Sequence, residues 1–149
     1  MTTFRVSDPD FRSRIQGSFG RQGFMAFIGA KLEYVDPGRC AISVPFRREV
    51  SQQHGFFHGG LVATLVDNAG AYAAFTLIGA AQSMLTVEFK VSLIAPAAGT
   101  VVRAVGQVVR AGRQLTTSQV EAFSVMDNSP KKCAIGLVTM MTLSDRGDS

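Results

Sequence analysis

The stretch at residues 52–79, QQHGFFHGGLVATLVDNAGAYAAFTLIG, decides the fold. It opens with polar residues and glycines, and from Leu61 onward leucine, valine, alanine, phenylalanine and isoleucine follow with few interruptions. Because apolar residues occupy every face at helical spacing, the pattern predicts a buried helix over residues 58–77 that stops at Gly79. Such a helix would be about 30 Å long. It is too short and too interrupted to span a membrane, so we expect it at the centre of a soluble core.

Asp67 is the one carboxylate in this helix, between Val66 and Ala69. An ionised carboxylate inside an apolar core is costly unless another group pairs with it or a reaction uses it. From the helix alone, two interpretations stay open. Asp67 either faces a polar seam or an arginine of another strand, or it is a functional carboxylate with a perturbed pKa.

The composition describes one compact domain. The chain has 149 residues, of which 46% are hydrophobic and 17% charged, so disorder is not expected. The net charge of +4 is mild and comes without a run of lysines and arginines, which argues against a nucleic-acid partner. The low charge also suggests that a partner chain covers some apolar surface.

Cys40 and Cys133 lie in apolar, strand-like surroundings and have no CxxC spacing. They are predicted to be small core residues in a reducing compartment. The N-terminal sequence is polar and charged and has no apolar signal region. We therefore expect a cytoplasmic protein.

Strand-like alternation surrounds the central stretch. A hairpin is predicted over residues 32–46, around the turn at residues 36–38, and a short lead-in helix is predicted over residues 10–20. Four strands are predicted after Gly79, over residues 85–93, 100–110, 113–126 and 131–143. In the first of these, the residues expected to share one face are Leu85, Val87, Phe89, Val91 and Leu93.

This order predicts an α+β fold in which one six-stranded antiparallel sheet carries the long helix on its concave face. The predicted domain covers residues 23–143, with a lead-in helix at residues 1–22 and a polar tail at residues 144–149. Two layers leave the other sheet face and one side of the apolar helix uncovered. A homodimer is the economical way to cover them.

Gly59 and Gly60 at the start of this helix are candidates for binding negative charge. The first amides of a helix have no partner within it, and glycine lets a ligand approach the backbone. A carbonyl oxygen placed there would be polarised and an oxyanion stabilised. The alternative is that the two glycines only make a tight turn.

Asp67 follows Gly60 by seven residues, or roughly 10 Å along the helix axis. It is therefore too far away to act on a carbonyl bound at the start of its own helix. If the two residues cooperate, Asp67 comes from a second subunit whose helix runs antiparallel alongside. A two-fold dimer would contain two such composite sites.

The sequence offers little support for a metal site, a serine nucleophile or a nucleotide-binding glycine motif. His54 and His58 precede or begin the helix, so they do not form a metal-binding pair on one helix face, and we expect no metal. His58 is instead expected to position the loop. The sequence has no G-x-S-x-G elbow, and no Walker or Rossmann glycine pattern.

The central stretch resembles the hot dog fold thioesterases of the phenylacetate-degradation (PaaI-like) group, close to the acyl-CoA thioesterase 13 type. These proteins carry a polar residue, then G-x-x-HGG, then a helix with an aspartate. The resemblance covers roughly residues 23–143 and includes the run TVEFK at residues 86–90. The corresponding residues in the central stretch are Gln52, Gly55, His58, Gly59, Gly60 and Asp67.

The resemblance implies an acyl-CoA or aryl-CoA thioesterase that needs no cofactor and forms homodimers, with a dimer of dimers as the expected assembly. It implies that Gly60 supplies the amide for the thioester carbonyl and that Asp67 of the partner chain acts as general base or nucleophile. It further implies that Gln52 holds the water or the thioester and that Thr86 assists the water. Asn68, next to Asp67 in the matched run, is a further candidate for substrate binding.

The remaining substrate contacts are less defined. Arg110, Arg113 and Lys131 are candidates for the CoA phosphates, although each could be a solvated hairpin end. Four aromatic residues could line an acyl pocket, although aromatic residues beside a core helix more often serve packing; they are Phe56, Phe57, Tyr72 and Phe75.

Two other functions remain to be weighed. A hot dog hydratase would need a proline-rich histidine loop, which this chain lacks. A non-catalytic acyl-CoA-binding protein would keep the pocket without needing Asp67.

Overall fold

In the computed structural model, residues 4–144 and Gly147 are described. Two short helices precede a hairpin, the long helix follows, and four strands complete the chain. The elements are α1 (Phe11–Arg21), α2 (Gly23–Ile28), β1 (Lys31–Asp36), β2 (Arg39–Pro45), α3 (Gly59–Phe75), β3 (Ser83–Leu93), β4 (Val101–Ala111), β5 (Leu115–Met126) and β6 (Ser129–Leu143). A single 3-10 turn, Arg48–Val50, lies between β2 and α3.

The six strands form one antiparallel sheet in the order β1-β2-β4-β5-β6-β3. Helix α3 lies against the face that we call the inner face, which carries the buried residues Val102, Ala104 and Val138. Gly106 of β4 permits the close approach, since a Cβ there would lie 2.3 Å from the backbone oxygen of Ala69. The predicted α+β hot dog arrangement is confirmed.

Helix α3 is shorter than predicted and is not buried all round. It ends at Phe75, because the last turn tightens: the Leu77 amide donates to the Ala74 carbonyl at 3.0 Å, and the Thr76 hydroxyl donates to the Ala73 carbonyl at 2.7 Å. One stripe of the helix is only half-buried in the single chain. Its residues are Ala63, Thr64, Asp67, Asn68 and Ala71.

Strand β3 has a bulge that makes one prediction wrong. It pairs regularly with β6 on both sides of Val87, but Val87 itself has no partner in this ladder. One extra residue reverses the alternation of side chains. Leu85 therefore lies on the outer face, whereas Phe89, Val91 and Leu93 lie on the inner one. The five residues do not share a face.

Strand β3 is also an edge of the sheet, and its free side is apolar. Phe89 and Leu93 are 45% and 54% exposed although they face inward. The outer face carries further exposed apolar residues, including Leu115 and Leu137. Exposed edges and patches of this kind favour association with another chain.

The N-terminal helices are held to the end of α3 by Arg14. Its guanidinium donates to the carbonyls of Ile78 and Gly79 at 2.9 and 2.8 Å, and it lies 2.9 Å from the Asp8 carboxylate. It also lies over the ring of Phe75 at 4.7 Å. No helix in the described part of the chain is long and apolar enough to cross a membrane.

Candidate active site

The start of α3 is organised by His58. The imidazole Nδ1 accepts from the Gly60 amide at 2.9 Å, and the His58 carbonyl accepts from the Leu61 and Val62 amides at 3.0 and 3.2 Å. Among the described residues, no acceptor contacts the Gly59 amide. Of the two glycines singled out from the sequence, Gly60 thus has an amide that is already engaged, while the amide of Gly59 is available.

An open groove of about 520 Å³ begins at this helix start. Gln52 and Gly59 contribute to its wall, together with Val62 and Leu93. The Gln52 side-chain oxygen accepts from the His54 amide, which fixes the loop before the helix. Phe57 is buried and packs edge-to-face on Phe46 at 5.2 Å while also lining the groove, so it serves the core as well as the cavity wall.

Asp67 is oriented by Thr86. The Thr86 hydroxyl donates to Oδ1 of Asp67 at 2.8 Å, across the gap between α3 and β3. Burial raises the pKa of Asp67 above its ordinary value, and the hydrogen bond from Thr86 offsets part of that rise. A carboxylate with a raised pKa is a stronger base than an exposed one, and Asp67 itself lies on the half-buried stripe of α3.

Asp67 and Thr86 line a second groove, of about 280 Å³. Asn68 lies in the same wall, and its side-chain amide donates to the Thr64 carbonyl at 3.1 Å. This groove runs from Asp67 along α3 toward Tyr72 and Phe75. It is therefore a pocket with a candidate base at one end.

The two grooves are separate in one chain. Gly59 and Asp67 are eight residues apart on one helix, or about 12 Å along its axis. They also line different cavities. The structure brings Asp67, Asn68 and Thr86 together, and separately brings Gln52, Phe57 and Gly59 together.

None of the three predicted phosphate contacts lines either of the two grooves. Arg110 follows a bulge at Val109 and pairs with Thr117, which belongs to the outer face. Arg113 lies in the exposed β4–β5 turn. Lys131 instead borders a groove of about 560 Å³ that shares Phe56 with the groove at the helix start. Contact of any of these residues with CoA stays a prediction.

Sequence reasoning missed a polar cluster at the far end of the second groove. The Tyr72 hydroxyl accepts from the Gln22 side-chain amide at 2.6 Å and lies 3.1 Å from the Ser18 hydroxyl. All three residues line the groove. The only sign of this cluster in the sequence was a tyrosine inside an apolar helix, because a buried tyrosine hydroxyl needs a hydrogen-bond partner.

The residues that the structure describes contain no group of three or more histidines, cysteines, aspartates or glutamates that could hold a metal ion. The buried thiols of Cys40 and Cys133 have pKa values raised by burial, which keeps them protonated. A protonated thiol is a poor nucleophile, and this holds also for Cys133, which lies in the wall of the groove at the helix start.

Comparisons with known proteins agree with this architecture. The family model described as Thioesterase superfamily matches residues 54–130. A thioesterase family protein from Silicibacter pomeroyi is 39% identical, with a TM-score of 0.87, over 89% of this chain and 97% of that one. A protein from Halobacterium salinarum that is provisionally named an esterase is 27% identical over 91% of this chain and 93% of its own length.

A more distant structure shows the same fold. The PaaI protein of Escherichia coli, from the phenylacetic acid degradation operon, is 17% identical and has a TM-score of 0.79. The match covers 90% of this chain and 94% of that one.

Proposed function

The chain belongs to the thioesterase superfamily, and from this premise we propose that it hydrolyses acyl-CoA thioesters at sites shared between two subunits. The observation that carries the proposal is the Asp67–Thr86 pair. In this pair, Asp67 is a half-buried carboxylate with a raised pKa that the Thr86 hydroxyl orients, and it lines a groove that an acyl group can enter.

In the proposed reaction, the thioester carbonyl lies against the free amide of Gly59. That amide stabilises the oxyanion as it forms, because a preorganised donor needs no reorganisation at the moment of attack. This role was expected of Gly60, but the Gly60 amide donates to His58, so it would act only after the imidazole moves away. His58 holds the loop, and Gln52 borders the thioester from the opposite wall of the groove.

Asp67 of the partner subunit activates the attacking water, or attacks the carbonyl itself. Thr86 keeps one carboxylate oxygen fixed so that the other faces the substrate. A raised pKa suits a general base, since a base is most effective when its pKa lies near the working pH. Asn68 borders the acyl group in the same wall.

A homodimer formed through β3 would assemble these parts. The free edge of β3 can pair with the same strand of a second copy, covering Phe89 and Leu93 and extending the sheet. A two-fold axis there sets the two α3 helices antiparallel, so each Gly59 can meet the other chain's Asp67. The apolar outer face around Leu115 and Leu137 suits a further pairing of dimers.

The first test is thiol release from short, medium, long and aromatic acyl-CoAs by the wild type and by Asp67→Asn. We expect kcat/KM to fall by about 10²- to 10⁴-fold, the usual contribution of a general base. Glu88→Gln is the matched control, because it neutralises an exposed carboxylate on the outer face of the same strand that carries Thr86. An Asp67→Asn variant with wild-type turnover would contradict the proposal, and saturable acyl-CoA binding without turnover by any variant would favour a non-catalytic binder.

The amide is tested by Gly59→Pro against Gly59→Ala. Proline removes the N–H but suits the first position of a helix, and His58 already has the extended ψ of 136° that a residue before proline requires. Alanine keeps the N–H, and its Cβ meets the exposed Leu93 side chain just as the Cβ of proline does. The two variants therefore differ mainly in the N–H. Loss of one oxyanion donor should lower kcat by about 10²- to 10³-fold in the proline variant only. Equal activity of the two variants would exclude the Gly59 amide.

A further inference from the structure

The groove beside Asp67 has a polar far end. Tyr72, which is 5% exposed, accepts from Gln22 and lies within hydrogen-bond distance of Ser18. The rest of the wall mixes apolar residues, such as Ala71 and Phe75, with polar ones. Convergent polar groups in a pocket fix the orientation of a ligand and provide selectivity.

The size of the groove limits the ligand. At about 30 Å³ for each water-sized group, 280 Å³ holds on the order of ten non-hydrogen atoms. This volume suits a short or medium acyl group. The limit applies to the part of the substrate that lies beyond the carbonyl.

The position of the Tyr72 cluster along the groove determines which part of the acyl chain would carry a polar group. Tyr72 follows Asp67 by five residues, or about 7.5 Å along the axis of α3. An extended chain advances about 1.2 Å per bond, so roughly six bonds span this axial rise. A hydroxyl suits this end because it can donate and accept, and thus adapt to a cluster of hydroxyls and an amide.

We propose that this chain selects acyl groups of about six carbons that carry a hydroxyl at the far end, and that Tyr72, with Ser18 and Gln22, recognises that hydroxyl. The inference rests on the proposed thioester hydrolysis and adds its substrate class. Ser18 and Gln22 belong to the α1–α2 segment, which lies outside residues 54–130 that match the family model. Part of the selectivity is thus assigned to a segment separate from the proposed catalytic residues, while Tyr72 shares α3 with Asp67.

The test compares kcat/KM for 6-hydroxyhexanoyl-CoA and hexanoyl-CoA. The wild type should prefer the hydroxylated ester by roughly five- to tenfold, the value of one net hydrogen bond. Tyr72→Phe should abolish the preference, so that the two esters are hydrolysed with equal kcat/KM. Ser18→Ala, which alters only a half-buried hydroxyl, should reduce the preference and serves as the second variant if Tyr72→Phe folds poorly.

The matched control is Tyr34→Phe, which changes the only other tyrosine of the chain, on β1 and outside the groove. It should keep the full preference. A wild type that hydrolyses both esters equally, or a Tyr72→Phe variant that keeps the preference, overturns the inference but leaves the thioesterase proposal standing. Failure to hydrolyse either ester or any ester of the acyl-CoA panel overturns both.

Discussion

The most decisive prediction concerns which chain supplies each half of the active site. A general base must lie within about 3 Å of the proton that it takes, or act through one water. Gly59 and Asp67 of one chain are separated by about 12 Å of helix. If the Gly59 amide binds the carbonyl and Asp67 activates the nucleophile, the two groups come from different subunits.

Complementation measures this directly. Asp67→Asn and Gly59→Pro subunits, each with its own affinity tag, are co-expressed, and the heterodimer is purified through both tags. Each parent homodimer carries one defect in both sites, so each should lose about 10²-fold or more in kcat. In a heterodimer with shared sites, one site combines the two intact residues and the other combines the two altered ones.

The heterodimer should therefore recover about half of the wild-type kcat per dimer, since one of its two sites is intact. Size-exclusion chromatography with light scattering confirms the dimer before the assay. A heterodimer of Asp67→Asn with Gly59→Ala is the control for tagging and co-expression. If the first heterodimer is no more active than its parents, both residues act within one chain and the shared-site reasoning is refuted.

Three further predictions concern stability and pH. Asp67→Asn should raise the melting temperature at neutral pH, because burial raises the pKa of Asp67, so that its ionisation destabilises the folded state. This gain in melting temperature should vanish below about pH 4, where the carboxyl is protonated in both the folded and the unfolded state. Thr86→Ala should move the acid limb of the kcat/KM–pH profile toward higher pH, because it removes the bond that lowers the pKa of Asp67, and Thr86→Ser should not. Gly106→Ala should lower the free energy of unfolding in urea by about 2–3 kcal/mol, because the added Cβ would collide with the backbone of Ala69. The control is Gly20→Ala in α1, where no atom lies within 4 Å of the added Cβ, and it should raise the free energy of unfolding by up to about 1 kcal/mol. Equal effects of the two substitutions would contradict the close helix–sheet contact.

The sequence was sufficient for the long helix, the six strands and the α+β class, but not for helix α2 or the order of the strands. The continuous apolar run from Leu61 identified α3, and period-two alternation identified six strands, because burial imposes these patterns directly. It could not reveal the bulges at Val87 and Val109, since an unpaired residue leaves no mark on the alternation until the partner strand is known. The face of Leu85 was therefore predicted wrongly, and the outer-face position of Arg110 was not foreseen.

The site was predictable in composition but not in geometry. The HGG run and Asp67 were singled out from residue type and spacing. That His58 occupies the Gly60 amide depends on the side-chain rotamer at the helix cap, which no residue pattern specifies. The pairing of Tyr72 with Ser18 and Gln22 joins residues about fifty positions apart in the chain, and it depends on how α1 docks against α3.

The anchoring of α1 by Arg14 has a consequence for how this protein can diversify. Arg14 binds mainly main-chain carbonyls, which persist whatever side chains surround them. Ser18 and Gln22 can thus vary while the helix keeps its place, and Asp67, the proposed base, is untouched by the exchange. A library randomised at Ser18 and Gln22 alone would explore new substrate preferences at little risk to turnover, which makes this short N-terminal segment an economical starting point for directed evolution.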